Sequence, residues 1–342
     1  MLCFALLCGW LGSVAARAQP VPPRPEIWFS PLQDSLNPSG HGLVFNVHDF
    51  PAMVASTNEW QQALSHTSVL RLNAMGLAEA YPDLPPVIAM VNRIGRPIVA
   101  GGSFVHTNGA CQVRIEGVSN DTGYEHEIVH ALHRWKLAGG RLDYVIMDSP
   151  LLFGHWVTEK QCHFSIEDTA RSAADTMLMI KKDYPDIKVV DAEGPAWVPL
   201  STWLPALEEF WKAFQADSGT RVSFLSMDLS WRDAFHTGYN PIDTVRQTAL
   251  YVRARGVKAG VFINADDRWV EHLGQVVPGE TLTDHMWMQE NREHLQAIHD
   301  AKLPLDFIMI ASWMKFPRRN LPETDPDAYA SLVDFAWALW SR

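Results

Sequence analysis

Residues 143–193 decide the fold: DYVIMDSP (143–150), IEDTARSAADTMLMIKKD (166–183) and IKVVDAE (187–193) follow one another there. The first and third are short apolar runs bounded by acidic residues or proline, as strands buried on both faces are. The middle stretch carries its apolar residues at helical spacing behind Ser165, a residue type that caps helices by accepting a backbone N–H. Strand, helix and strand in this order make one parallel βαβ step.

The same alternation runs outward in both directions. Strand-like runs fall at Ile27–Ser30, Val69–Met75, Pro97–Ser103, Asp143–Asp148, Ile187–Glu193, Arg221–Asp228, Ala259–Asn264 and Asp306–Ser312. Amphipathic stretches between them predict helices at Asn58–Ser65, Leu84–Ile94, Tyr124–Ala138, Ile166–Asp183, Thr202–Ala216, Pro241–Arg255 and Thr283–Ala301, and Pro326–Trp340 closes the chain. Ser165 and Asp284 suit helix caps, Pro241 and Pro326 suit a first helical turn, and Gly139-Gly140 and Gly256 stand where helices stop. Eight strands, each followed by a helix, predict a single (β/α)8 (TIM) barrel over residues 26–342. A doubly wound open sheet is the alternative, but no Gly-rich turn follows Ile27–Ser30. The chain shows no internal repeat and no Walker-type phosphate loop. Ser35–Thr57 is longer than a plain connection and is expected over the barrel mouth.

The N-terminus reads as an export signal. Leu2 to Leu11 is apolar but too short to span a bilayer, and Ala16-Arg17-Ala18 offers small residues where a signal peptidase reads. This predicts a signal peptide over 1–18, a mature start near Gln19, a Pro-rich leader over 19–25 and a secreted or periplasmic protein, although no Lys or Arg precedes the apolar run. An uncleaved anchor is the alternative. No later segment is long and apolar enough for a membrane span. The formal charge of −11 argues against nucleic acid and anionic membrane as partners, and leaves a neutral polysaccharide open. Of four Cys, Cys3 and Cys8 lie in the signal. Cys111 and Cys162 remain, and in an exported chain they suggest one disulfide between the loops after strands three and four, or else two unrelated buried thiols.

In a barrel of this kind chemistry sits at the C-terminal strand ends. Strand four ends at Asp148, strand five at Asp191-Ala192-Glu193, strand six at Asp228 and strand seven at Asn264. Strand two carries Arg71 and Asn73 on one face by the two-residue period. Asp191 and Glu193 also share a face, as do Ser226 and Asp228. Carboxyl groups crowded from neighbouring strands have their pKa values driven apart, as acid/base work on a glycosidic bond requires. The alternative for each acid is a helix cap or an arginine partner. Trp156, Trp197, Trp231, Trp269 and Trp313 follow the ends of strands four to eight, and their flat faces suit sugar rings, where plain packing is the competing reading. His106, His155 and His163 lie in the same loops.

At these residues the chain resembles exported bacterial barrel proteins of the glycoside hydrolase type. Ile310-Ala311-Ser312-Trp313 is similar to the last strand of many such barrels, in which a Trp floors the sugar subsite. The stretch 143–150 and the tail Leu321-Pro322-Glu323-Thr324-Asp325-Pro326 carry the same likeness. The large retaining superfamily places Asn-Glu after strand four and Glu at strand seven. Here those ends read Asp148-Ser149 and Asn264-Ala265-Asp266, so that catalytic pair does not transfer.

The expected activity is therefore hydrolysis of a glycosidic bond in an extracellular or envelope polysaccharide. Glu193 stands as general acid, Asp148 or Asp228 as base or nucleophile, and Glu116 in reserve. Arg71, Asn73, His155, Asp191, Asn264 and the rim Trp residues are the substrate-binding candidates. No cofactor is expected. A glycan-binding barrel without catalysis is one alternative. The other is a zinc peptidase, because His126-Glu127-Ile128-Val129-His130 matches the His-Glu-x-x-His motif. On a helical wheel, however, Ile128, Ala131, Leu132 and Trp135 form one face and His126, His130 and His133 the opposite one. In a barrel helix the apolar face packs inward, which turns the His stripe to solvent, so no metal ligands are assigned.

Overall fold

The computed structural model describes residues 24–32, 49–73, 84–105, 127–156, 163–195, 198–229, 231, 239–264, 283–312 and 316–341, with the side chain of Glu127 excepted. Eight parallel strands close into one barrel in chain order. They are β1 (Glu26–Phe29), β2 (Val69–Asn73), β3 (Ile98–Gly102), β4 (Tyr144–Asp148), β5 (Lys188–Glu193), β6 (Val222–Met227), β7 (Lys258–Ile263) and β8 (Phe307–Ile310). β1 pairs with both β2 and β8, which completes the ring. The chain is a single (β/α)8 barrel.

Helices α1 (Phe50–Ala55), α2 (Gln61–His66), α3 (Leu84–Ile94), α4 (Glu127–Leu137), α5 (Ile166–Lys181), α6 (Leu200–Ser218), α7 (Pro241–Arg253), α8 (Asp284–Asp300) and α9 (Ser331–Trp340) surround it. Their ends follow local chemistry. The Ser165 hydroxyl accepts the Asp168 N–H at the start of α5, and Asn240 does the same for Asp243 ahead of Pro241. Gly139 and Gly256 adopt positive φ beyond α4 and α7. Two expectations need correction. Thr283, not Asp284, caps α8, through an N–H from Met286, while Asp284 binds Arg318. The last helix begins at Ser331 and not at Pro326, because the preceding residues form turns stitched by Asp325, whose carboxylate accepts the Asp327 N–H.

Two apolar layers result. The larger lies between strands and helices and takes the outward residues of each strand, such as Leu70, Leu72, Val145, Met147, Leu225 and Met227. The smaller fills the lumen with Trp28, Val69, Val99, Ile146, Val190, Ala192, Phe224, Phe262, Phe307 and Met309. At its N-terminal end the lumen is plugged by aromatic rings. Trp28 stacks on Phe307 at 4.5 Å between centroids and meets Tyr144 at 5.2 Å and Phe224 at 5.4 Å. Gly260 is what admits Phe307, since a Cβ there would stand 2.4 Å from its ring. Below the plug, Lys188 and Lys258 lie over Tyr144 and Phe224. This end is a packed core, as the bottom of such a barrel is.

Helix α4 fits its wheel. Ile128, Ala131, Leu132 and Trp135 are buried against the barrel, while His130 and His133 are exposed and His133 Nδ1 pairs with Asp183 at 2.9 Å. His126 lies outside the described residues.

Candidate active site

Along β4, β6 and β7 the lumen-facing residues change from apolar to polar towards the C-terminal end. β4 runs Tyr144, Ile146, Asp148. β6 and its continuation run Phe224, Ser226, Asp228. β7 and its continuation run Gly260, Phe262, Asn264. With Ser30, Arg71 and Asn73 from β1 and β2, the two-residue period puts seven polar side chains on one floor above the aromatic plug. Ser30 was not singled out from the sequence. Its signal is its place two residues beyond Trp28 on the same face.

Arg71 is the centre of this floor. Its Nη1 donates to Ser30 Oγ at 3.4 Å, and its guanidinium lies 5.7 Å above the Phe262 ring. Burial lowers its pKa, and the nearby Asp148, Tyr329 and Asp228 oppose that shift. Asp148 touches solvent at the mouth yet is enclosed by protein on its other sides. That enclosure raises its carboxyl pKa, while the Arg71 charge and the Ser149 hydroxyl pull it back. Three floor atoms, Arg71 Nε, Ser226 Oγ and Asn264 Oδ1, are buried without a hydrogen-bond partner. Polar atoms in that state cost stability unless a ligand or water satisfies them.

The two acids of β5 stand elsewhere. Val190 and Ala192 face the lumen, so Asp191 and Glu193 face the helix layer, and both are fully buried. Asp191 Oδ2 accepts the Trp211 Nε1–H of α6 at 2.6 Å, and burial pushes its pKa up to about 7. Glu193 accepts the backbone N–H groups of Leu151 at 2.6 Å and Leu152 at 3.2 Å. Burial first, and the Asp191 charge next, push its pKa up. The general-acid role read for Glu193 is therefore not the one its contacts give it: it caps the segment that follows β4.

That segment is a single wide turn, Leu152–Trp156, built on a π-type hydrogen-bond pattern. It carries His155, whose Nδ1 meets the Phe164 carbonyl at 2.5 Å, and the half-buried Trp156, edge-on to His155 at 5.3 Å. Trp231 stacks on His294 of α8 at 4.2 Å, which places one of its ring faces against protein. Glu116, Trp197, Trp269, Trp313, Cys111 and Cys162 lie outside the described residues.

No family model matches the sequence, and no curated protein matches it. Solved barrel structures match in fold. A xylanase from Cellvibrio japonicus is 11% identical, with 94% of this chain and 68% of that chain covered and a TM-score of 0.48. An endo-1,4-beta-xylanase from Caldicellulosiruptor owensensis is 9% identical, with 85% of each chain covered and a TM-score of 0.46. N-(5'-phosphoribosyl)anthranilate isomerase from Pyrococcus furiosus is 12% identical, with 92% of this chain and all of that chain covered (100%) and a TM-score of 0.41. The likeness is one of barrel fold, which hosts unrelated chemistries.

Proposed function

We propose that the chain is an exported glycoside hydrolase that cleaves a polysaccharide at the C-terminal mouth of the barrel, with Asp148 and Asp228 as its reacting carboxyls. One observation carries this reading: carboxylates from β4 and from the end of β6 face the same lumen with the Arg71 guanidinium within electrostatic reach of both. A glycosidase needs one carboxyl that keeps its proton to protonate the leaving oxygen and a second that acts as base or nucleophile. The raised Asp148 pKa suits the first role. Asp228 takes the second, with the Arg71 guanidinium within electrostatic reach. The unpartnered Ser226, Asn264 and Arg71 atoms offer both donors and acceptors to sugar hydroxyls. Trp156, and Trp197, Trp269 and Trp313, which follow β5, β7 and β8 in the sequence, are assigned to ring faces. Export through residues 1–18 and a Cys111–Cys162 disulfide belong to the same reading.

The test uses the purified protein with a panel of soluble polysaccharides and aryl glycosides. Asp148→Asn keeps size and removes the transferable proton, so kcat should fall by about 10²–10⁴-fold, with the alkaline limb of the pH profile lost. Asp228→Asn should fall comparably, and if Asp228 is the nucleophile its variant forms no covalent glycosyl intermediate. A wild type that binds a glycan and cleaves none replaces the hydrolase with a binding barrel. Full activity in Asp148→Asn removes the assignment of the acid.

A further inference from the structure

Both proposed reacting carboxyls are tied to one residue behind the sheet. The Glu193 side chain leaves the outer face of β5 and grips the Leu151 and Leu152 N–H groups, three and four residues beyond Asp148. The Glu193 backbone carbonyl accepts the Asp228 N–H at 2.8 Å, and its neighbour Ala192 accepts the Ser149 N–H at 2.7 Å. Ser149, between Asp148 and Pro150, has φ of 45°. That is a conformation a serine adopts rarely and keeps only where its surroundings enforce it. Glu193 supplies the enforcement: two N–H groups at the start of a helical turn have no partner within the turn, and the two oxygens of one carboxyl group accept from both.

We infer that Glu193 is a positioning residue, whose buried carboxyl locks the turn after β4 and thereby holds Asp148 in register with Asp228 across the lumen. The inference rests on the reading of Asp148 and Asp228 given above. It makes a demand that simple packing does not. The side chain must present two acceptor oxygens at the length of a glutamate. Glutamine keeps the length and one acceptor, but turns an N–H2 group towards the second N–H. Aspartate keeps both oxygens and is one methylene too short.

Two readouts on Glu193→Gln, Glu193→Asp and Glu193→Ala test this. The first is kcat, KM and the pH profile on the aryl glycoside or polysaccharide that the wild type cleaves. The second is amide hydrogen exchange over residues 149–156, which needs no substrate. Glu193→Ala should lower kcat by about 10²-fold, the order expected when reacting groups are displaced by about an ångström. Glu193→Gln should retain more activity, with a loss of about tenfold, and exchange at Leu151 and Leu152 should accelerate in the same order. KM and the shape of the pH profile should stay as in wild type, because the titrating acid is still in place. Glu193→Gln as inactive as Glu193→Ala, with the alkaline limb gone, would make Glu193 the proton donor and overturn the inference. So would exchange at 149–156 that does not change in any variant. Should Glu193→Ala not fold, the near-isosteric Gln variant decides alone. A wild type that cleaves nothing sinks the hydrolase reading, while the exchange measurement still decides whether Glu193 holds the turn.

Discussion

Asp191 shows what a buried carboxyl does to the molecule that holds it. Its pKa stands at about 7 against an ordinary value of 3.8, raised by burial and lowered in part by the Trp211 N–H. Between those values the folded chain keeps a proton that the unfolded chain has released. The stabilisation is therefore complete below about pH 4 and is lost as pH rises through about 7. Glu193 shifts in the same direction, so the slope belongs to the pair. Asp191→Asn should flatten it, seen as urea midpoints that differ less between about pH 5 and about pH 8 than in wild type. A variant with the wild-type slope would place the proton elsewhere. The same residue marks what was legible at this scale. The two-residue period correctly put Asp191 with Glu193, and Arg71 with Asn73, but did not say which pair faces the lumen. In a parallel barrel both faces of a strand are buried, so an apolar neighbour such as Val189 or Val190 marks neither side. Only closure of the ring, which turned Val190 and Ala192 inward, separated them.

At the scale of elements, strong local signals carried furthest. Leu84–Ile94 was read residue for residue, and every strand was placed to within a few residues. Two elements had no such signal. Helix α1 is six residues long and opens on Phe50-Pro51, inside what reads as loop. The turn 152–156 exists because Glu193, some forty positions away, supplies its cap. Long-range side-chain ties recur after β8 and β1, elsewhere around the ring. Asn320 is fully buried: its Oδ1 accepts the Leu32 N–H at 2.7 Å, and its Nδ2 donates to the Leu32 carbonyl at 3.0 Å and to Asp49 at 2.8 Å. Asp49 returns bonds to the N–H groups of Asn320 and Leu321. This ties the segment after β8 to the segment after β1. Asn320→Ala leaves the Leu32 backbone pair buried and unsatisfied, with Asp49 short of a donor. It should cost about 3 kcal/mol, read as a lowered urea midpoint at unchanged slope. A loss below about 0.5 kcal/mol would mean that water replaces the amide.

For the whole molecule, ring closure makes neighbours of segments that the sequence keeps apart, and one consequence reaches beyond the described residues. β3 and β4 are hydrogen-bonded partners in the closed order, so the loops that leave their C-terminal ends start side by side. Cys111 follows β3 and Cys162 follows β4. If residues 1–18 are cleaved on export, as proposed, these are the two cysteines left in the chain, and an oxidising compartment favours their pairing. The bridge would close a loop of about 50 residues and, in the chain-entropy account, stabilise the fold by about 4 kcal/mol. Its place matters as much as its size, because it would join the segments that follow two paired strands, β3 and β4. Protein recovered from an oxidising compartment should begin at Gln19 and show no alkylatable thiol until reduced, with peptides containing Cys111 and Cys162 linked. Reduction should lower the unfolding midpoint, and Cys111→Ser with Cys162→Ser should reproduce that loss without reductant. Two free thiols in the exported protein would overturn the pairing. A retained N-terminal segment would overturn the export reading, on which the pairing depends.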